Sequence, residues 1–226
     1  MLGSKYLAGT YAFFSLCLLA SGVIAVVFSQ VFHKTDVLLN MVFSSSALTG
    51  GLVLGVGLLI TWLLSVFAIV QRNHVTIGLV CLNWVLIIDA CIVFVVGTAI
   101  WFWSLRQRNE FHTVYEQLPA ASRIYIQDKF SCCGYFAAND TLEVGGTFCT
   151  SQDFANSLPT NNTANFCVTP VTTFTDYALE NTFTSIYGFM AVVILLFMAS
   201  LCVIKERNEI ERFKKIDAKR GGRGFV

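Results

Sequence analysis

Charge is scarce in this sequence: Asp, Glu, Lys and Arg supply 13% of the 226 residues, against 55% hydrophobic. That balance excludes the composition of an ordinary soluble domain. Histidine is rarer still, with His33, His74 and His112 in three separate segments. Such scatter leaves no imidazole-centred acid, base or nucleophile pairing, so no enzyme activity is expected. The strand alternation of a barrel and any internal repeat are missing too. So is a Cys-x-x-Cys pair, and with His112 the only histidine near the polar-segment cysteines, neither a metal nor a cofactor is expected.

What remains is apolar and gathered in blocks. Tyr6 to Phe32, Val37 to Gln71 and Asn181 to Ile204 carry no charge, and Val75 to Leu105 carries only Asp89. Each block holds the roughly 20 residues that a helix needs to cross about 30 Å of hydrocarbon. Only helices and closed barrels satisfy the backbone there. The first block also outruns the roughly 7 to 15 apolar residues of a cleaved signal. The expected fold class is an all-α membrane protein with four transmembrane helices, a small outer loop, and a large disulfide-stapled, mainly helical one. The boundaries read as a cytoplasmic N-terminus at 1–7, TM1 at 8–32, a small extracellular loop at 33–46, TM2 at 47–70 and a cytoplasmic turn at 71–74. TM3 follows at 75–103, a large extracellular loop at 104–182, TM4 at 183–204 and a mobile cytoplasmic tail at 205–226.

Charge sorts by segment in support of that orientation. The segments read as inner carry Lys5, Arg72 and eight cations from Lys205 onward, against four acids. The segments read as outer carry five cations against nine acids. Lys and Arg near span ends favour the cytoplasmic side, which puts both termini inside. Two glycosylation patterns, Asn139-Asp140-Thr141 and Asn161-Asn162-Thr163, agree, since both lie between the third and fourth spans.

Within the large loop, apolar residues fall at helical spacing from Arg106 to Phe130, with Pro119 dividing the stretch into two helices. Residues 135–173, rich in Asn, Thr, Ser and Gly, read as loop, and a helical pattern resumes near Thr175 and runs into the last span. Cys132, Cys133, Cys149 and Cys167 form an even set that reads as two disulfides in an oxidising compartment. Adjacent residues stand about 3.8 Å apart at Cα, closer than a disulfide allows, so Cys132 and Cys133 take different partners. Two pairings stay open.

Asp89 and Asn83 are polar groups inside the third span. A carboxylate at mid-span costs about 2.5 to 3.5 kcal/mol to insert and belongs in the bundle interior, with Ser21 and Thr61 roughly level in depth. Its readings are an interhelix hydrogen bond, a contact to a partner or sterol, or a transport path. Gly51 and Gly55 set a small-x-x-x-small spacing for close helix packing. Cys81 and Cys202, near the inner membrane face, are candidates for palmitoylation, whereas Cys17 and Cys91 read as packing residues.

Four spans, inner termini, a small first and a large second outer loop, and Cys132-Cys133-Gly134 after a helical stretch resemble the tetraspanin family over nearly the whole length. The resemblance implies bonds from Cys132 to Cys167 and from Cys133 to Cys149. It implies a non-enzymatic organiser whose partners are other integral membrane proteins, further copies of itself, and membrane lipids including sterol, with no nucleic acid. It places the chain in the plasma membrane or an endosomal or vacuolar membrane. The short Asn- and Thr-rich loop looks similar to filamentous-fungal tetraspanins linked to polarised growth and host penetration. Three features depart from the family: no proline-containing motif precedes Cys149, TM1 has no Asn, and TM4 has no Glu or Gln.

Overall fold

The computed structural model describes residues 2–32, 38, 45–71 and 76–219. Most of the small loop read at 33–46, the turn at 72–74 and the end of the tail at 220–226 lie outside the described residues. The described residues are all-helical, with no strand among them. In order they are α1 (Leu2–Phe32), α2 (Ser45–Val70), α3 (Ile77–Leu105), α4 (Gln107–Gln117), α5 (Ala120–Phe130), α6 (Gln152–Ser157) and α7 (Val168–Lys219), with a 3-10 turn at Thr163–Asn165 before α7. Four of these helices are long and apolar enough to cross a membrane: Tyr6–Phe32, Ala47–Val70, Ile77–Phe102 and the helix Val168–Lys219. Only 28 to 33% of their most apolar windows is buried within the chain. Their outward surface, including Phe13, Val53, Phe67, Phe94 and Met198, is apolar as well. Hydrocarbon, not water, suits such a surface.

The contacts divide the chain into two compact units. The span unit takes in Met1–Gln30, Thr49–Val96 and Ile186–Val226. Its interior is a seam of Leu18, Leu58, Leu79, Leu82, Leu86, Val193 and Leu196, all but closed to solvent. Against α1, α2 packs through glycine. A Cβ on Gly55 would stand 2.9 Å from the Val26 backbone nitrogen, and one on Gly22 2.9 Å from the Leu59 side chain. The close approach therefore joins Gly55 to Gly22 on the neighbouring helix. Gly51, expected to share that role, has nothing within 4 Å of its Cβ position. Spacing along one helix marks a candidate face, but only the partner helix decides which of its glycines is covered.

The stapled unit takes in Val31–Leu48 and Gly97–Ser185. Pro119 separates α4 from α5 as its chemistry requires. Leu118 before it is extended, with ψ 145°, and Pro119 caps the start of α5, its carbonyl accepting from Ser122 and Arg123 N–H. At its other end α5 closes through Ser131 in the left-handed region, φ 51°, while Cys132 N–H reaches back to Gln127 O at 3.1 Å. This Schellman-type closure turns the chain so that Cys132 and Cys133 leave the helix together.

One sequence expectation needs correcting. The last long helix begins at Val168 instead of near Thr175. Pro170 falls in its first turn, where no backbone donor is needed. Thr172, Thr173 and Thr175 donate their hydroxyls to carbonyls one turn earlier, at 2.6 to 3.0 Å. A threonine-rich stretch that looks like loop is helix, with its hydroxyls bonded to the helix's own carbonyls. The same helix continues past Lys205 as far as Lys219.

Candidate functional site

The four cysteines of the polar segment converge on one hub. Cys132 is bonded to Cys167 and Cys133 to Cys149, with Cα separations of 5.0 and 5.8 Å. All four are fully buried. The bonds span 35 and 16 residues, and closing loops of that size in the unfolded chain is worth about 3 to 4 kcal/mol each. Backbone hydrogen bonds hold the same junction. Cys133 N–H donates to Asn165 O at 2.9 Å, Cys167 N–H to Gly134 O at 2.9 Å, and Val168 N–H to Tyr135 O at 3.1 Å.

The third residue of the Cys-Cys-Gly triplet has its own reason. Gly134 sits at φ +69°, and a Cβ there would lie 2.0 Å from Ala137 O. Glycine alone permits both the dihedral and the approach. Beyond it the chain folds into a tight turn, in which Tyr135 N–H donates to Asp140 O at 2.9 Å and Phe136 N–H to Asp140 Oδ2 at 3.0 Å. Around this turn the rings of Tyr115 and Tyr135 pack at a tilt, with centroids 5.2 Å apart. Burial pushes both phenols well above their ordinary range.

Polar side chains draw the loop that carries Cys149 back onto α5. Asp128 accepts from Phe148 N–H at 2.9 Å and from Thr147 N–H at 3.0 Å. Those two bonds hold its carboxyl below the usual carboxylate range. Gly146 belongs to the same contact, since a Cβ there would be 2.6 Å from Asp128 Oδ1. Arg123 on α5 pairs with Glu143, and with its amide oriented to satisfy both ends, buried Gln127 donates to Glu143 O and accepts from Gly134 N–H. A small core of Cys133, Cys149 and Ala155, with Leu142, Phe148 and Leu158 against it, lies beneath. His112 donates toward Asp140 at 3.0 Å, with Glu116 3.7 Å away.

In the span unit the intramembrane polar groups are paired. Thr61 on α2 donates to Asp89 Oδ2 at 2.6 Å, while Ser21 bonds its own helix at Cys17 O. Ser200 on α7 donates to Asn83 Oδ1. Sequence reasoning missed a third set: Tyr11 Oη lies 2.9 Å from Ser65 O and 3.0 Å from Ser65 Oγ, and Ser15 Oγ lies 2.9 Å from Ser65 Oγ. Its only signal is Tyr11 and Ser15 one turn apart in an uncharged run. Arg207, nearly buried, donates to Ile69 O at 2.9 Å in the last turn of α2.

The modification candidates lie at accessible positions. Asn139 and Asn161 are exposed, and Asn139 Oδ1 accepts from Gln152 at 2.8 Å. Cys81 and Cys202 are free and exposed; so is Cys91, whereas Cys17 is half-buried. An apolar groove of about 580 Å³ runs between α3 and α7, lined by Leu86, Ala90, Phe94, Val193, Phe197 and Met198 among others. Comparison with protein-family models, curated proteins and solved structures found no match.

Proposed function

We propose that the chain is a membrane organiser of the tetraspanin kind, which gathers other integral membrane proteins, and copies of itself, into lateral assemblies. The observation that carries this reading is the double-cysteine hub: two bonds radiating from Cys132 and Cys133 in a stapled unit inserted between two spans. Disulfides of this density in a segment with so small a core suit an oxidising compartment, so the stapled unit faces outward or into a lumen and both termini face the cytoplasm. The charge bias of the sequence agrees.

Specificity resides in the stapled unit. The spans set the lipid environment, the groove between α3 and α7 offers an apolar face for partner helices or sterol, and the charged end contacts cytoplasmic proteins. Many weak contacts of this sort add to a stable assembly through effective concentration. Asn139 and Asn161 carry glycans, and Cys81 and Cys202 carry acyl chains. The membrane is the plasma membrane or an endosomal or vacuolar one, and the cellular setting is polarised growth or host penetration in a filamentous fungus. Paired as it is with Thr61, Asp89 serves to join helices in this reading.

Proximity labelling from the stapled unit tests the proposal. Wild type captures a defined set of membrane proteins, and Cys133→Ser, delivered to the same membrane, loses that set. Identical captures from the two proteins, or ion flux from the purified chain alone in liposomes, would reject an organiser.

A further inference from the structure

His112, Glu116 and Asp140 bring three donor atoms together in the stapled unit, all within 4.8 Å of one another. The sequence separates Asp140 from His112 by a helix, the double cysteine and a turn. His112 and Glu116 share one face of α4, one turn apart. Asp140 is delivered from the turn after Gly134.

The geometry points to a transition-metal site here, with zinc(II) as the ion it fits. In tetrahedral zinc with bonds of about 2.0 to 2.1 Å, neighbouring donors stand about 3.3 Å apart. Two of the three donor pairs fall near that edge, with His112 Nε2 3.0 Å from Asp140 Oδ1 and 3.7 Å from Glu116 Oε1, and the third pair lies within 4.8 Å. An ion there would take the place of the hydrogen bond that now joins His112 to Asp140. The donor set selects among cations, because an imidazole nitrogen favours zinc over magnesium or calcium, which take oxygen. Three protein ligands leave a fourth position for water or for a donor from another chain.

The supports are in place before any ion arrives. The His112 ring lies against Tyr135 and Phe136, with centroids 5.2 and 5.0 Å away. Asp140 is held by its backbone bond to Ala137 O and by Phe136 N–H on its carboxylate. Such outer contacts orient ligands and sharpen affinity. The side chains are 22% exposed at His112, 26% at Asp140 and 50% at Glu116, so an ion reaches them from solvent. Bound, it would link α4 directly to the turn that follows the disulfide hub.

The test is a zinc chloride titration of the tag-free full chain in detergent, with whichever of the thiols of Cys17, Cys81, Cys91 and Cys202 are free capped by N-ethylmaleimide. Calorimetry on wild type shows one site that His112→Gln abolishes. Glu116→Gln weakens it at least about tenfold, while its melting curve in chelator matches wild type. That variant is decisive, since a purely structural hydrogen bond between His112 and Asp140 gives Glu116 no role. No zinc uptake by wild type overturns the site. Equal affinity in all three proteins assigns the ion elsewhere, and unchanged affinity in Glu116→Gln alone overturns the three-donor assignment.

Discussion

Thr61 donates its hydroxyl to Asp89 across 2.6 Å, joining α2 to α3 inside the span unit. The bond accounts for a carboxyl group at a depth where an unsatisfied one is costly. Interhelical hydrogen bonds in membranes contribute about 0.6 kcal/mol on average and up to about 1.7. Thr61→Val should lower stability by about 1 kcal/mol in the wild type, and by much less in an Asp89→Leu background. Thermal unfolding of the four proteins of this cycle in one detergent measures the coupling. Strictly additive losses would separate the two residues.

Gly134 and Ser131 should respond in opposite directions. At Gly134 a methyl group would meet Ala137 O at 2.0 Å under a left-handed dihedral, so Gly134→Ala should cost at least about 2 kcal/mol and scramble the disulfides. Ser131 holds φ 51° with a side chain that dislikes it, so Ser131→Gly should stabilise by up to about 1 kcal/mol. Melting temperatures and non-reducing gels of the two variants report both effects. A neutral Gly134→Ala would contradict the turn described.

Asp128 gives the stapled unit an acid dependence of known sign. Its carboxyl is held below the usual range by Phe148 and Thr147, so its contribution is complete above the ordinary carboxylate pKa of about 4. That contribution fades as pH falls through the lowered folded value. Asp128→Asn should therefore be less stable than wild type at pH 7, with the gap closing toward pH 2. Melting curves across that range check it, and a gap that widens in acid would reverse the assignment.

Much of this was legible in the sequence where a property runs over many residues. The four spans are visible because twenty or more uncharged residues in a row have few other uses. That Cys132 and Cys133 need different partners follows from the Cα spacing of neighbours, but the choice between two pairings depends on the path through Gly134, which no spacing rule reveals. The glycine contact is half legible: Gly55 stands out, while its partner Gly22 lies alone in an apolar run. The start of α7 was hidden because Thr172, Thr173 and Thr175 look like loop until their hydroxyls are seen bonding one turn back. His112 and Asp140 meet only through tertiary folding, so no spacing in the sequence pairs them.

Arg207 should act as a cap for another helix. Its guanidinium reaches Ile69 O, one of the last carbonyls of α2, where a cation is favoured by the helix dipole. Arg207→Met keeps much of the buried stem and removes the charge, and should cost up to about 2 kcal/mol, the upper limit for a partly buried site. Lys205→Met, at the exposed neighbouring position, should cost little. Equal losses in the two variants, measured by thermal unfolding, would count against the cap.

The arrangement of sulfur around Cys132 and Cys133 is what the account stands on, and mass spectrometry of pairwise variants under non-reducing conditions addresses it most directly. The double variant Cys133→Ser/Cys149→Ser should retain a single bond from Cys132 to Cys167, and Cys132→Ser/Cys167→Ser a single bond from Cys133 to Cys149. A Cys132–Cys149 bond in the wild-type chain, or four free thiols there after purification without reductant, would contradict it.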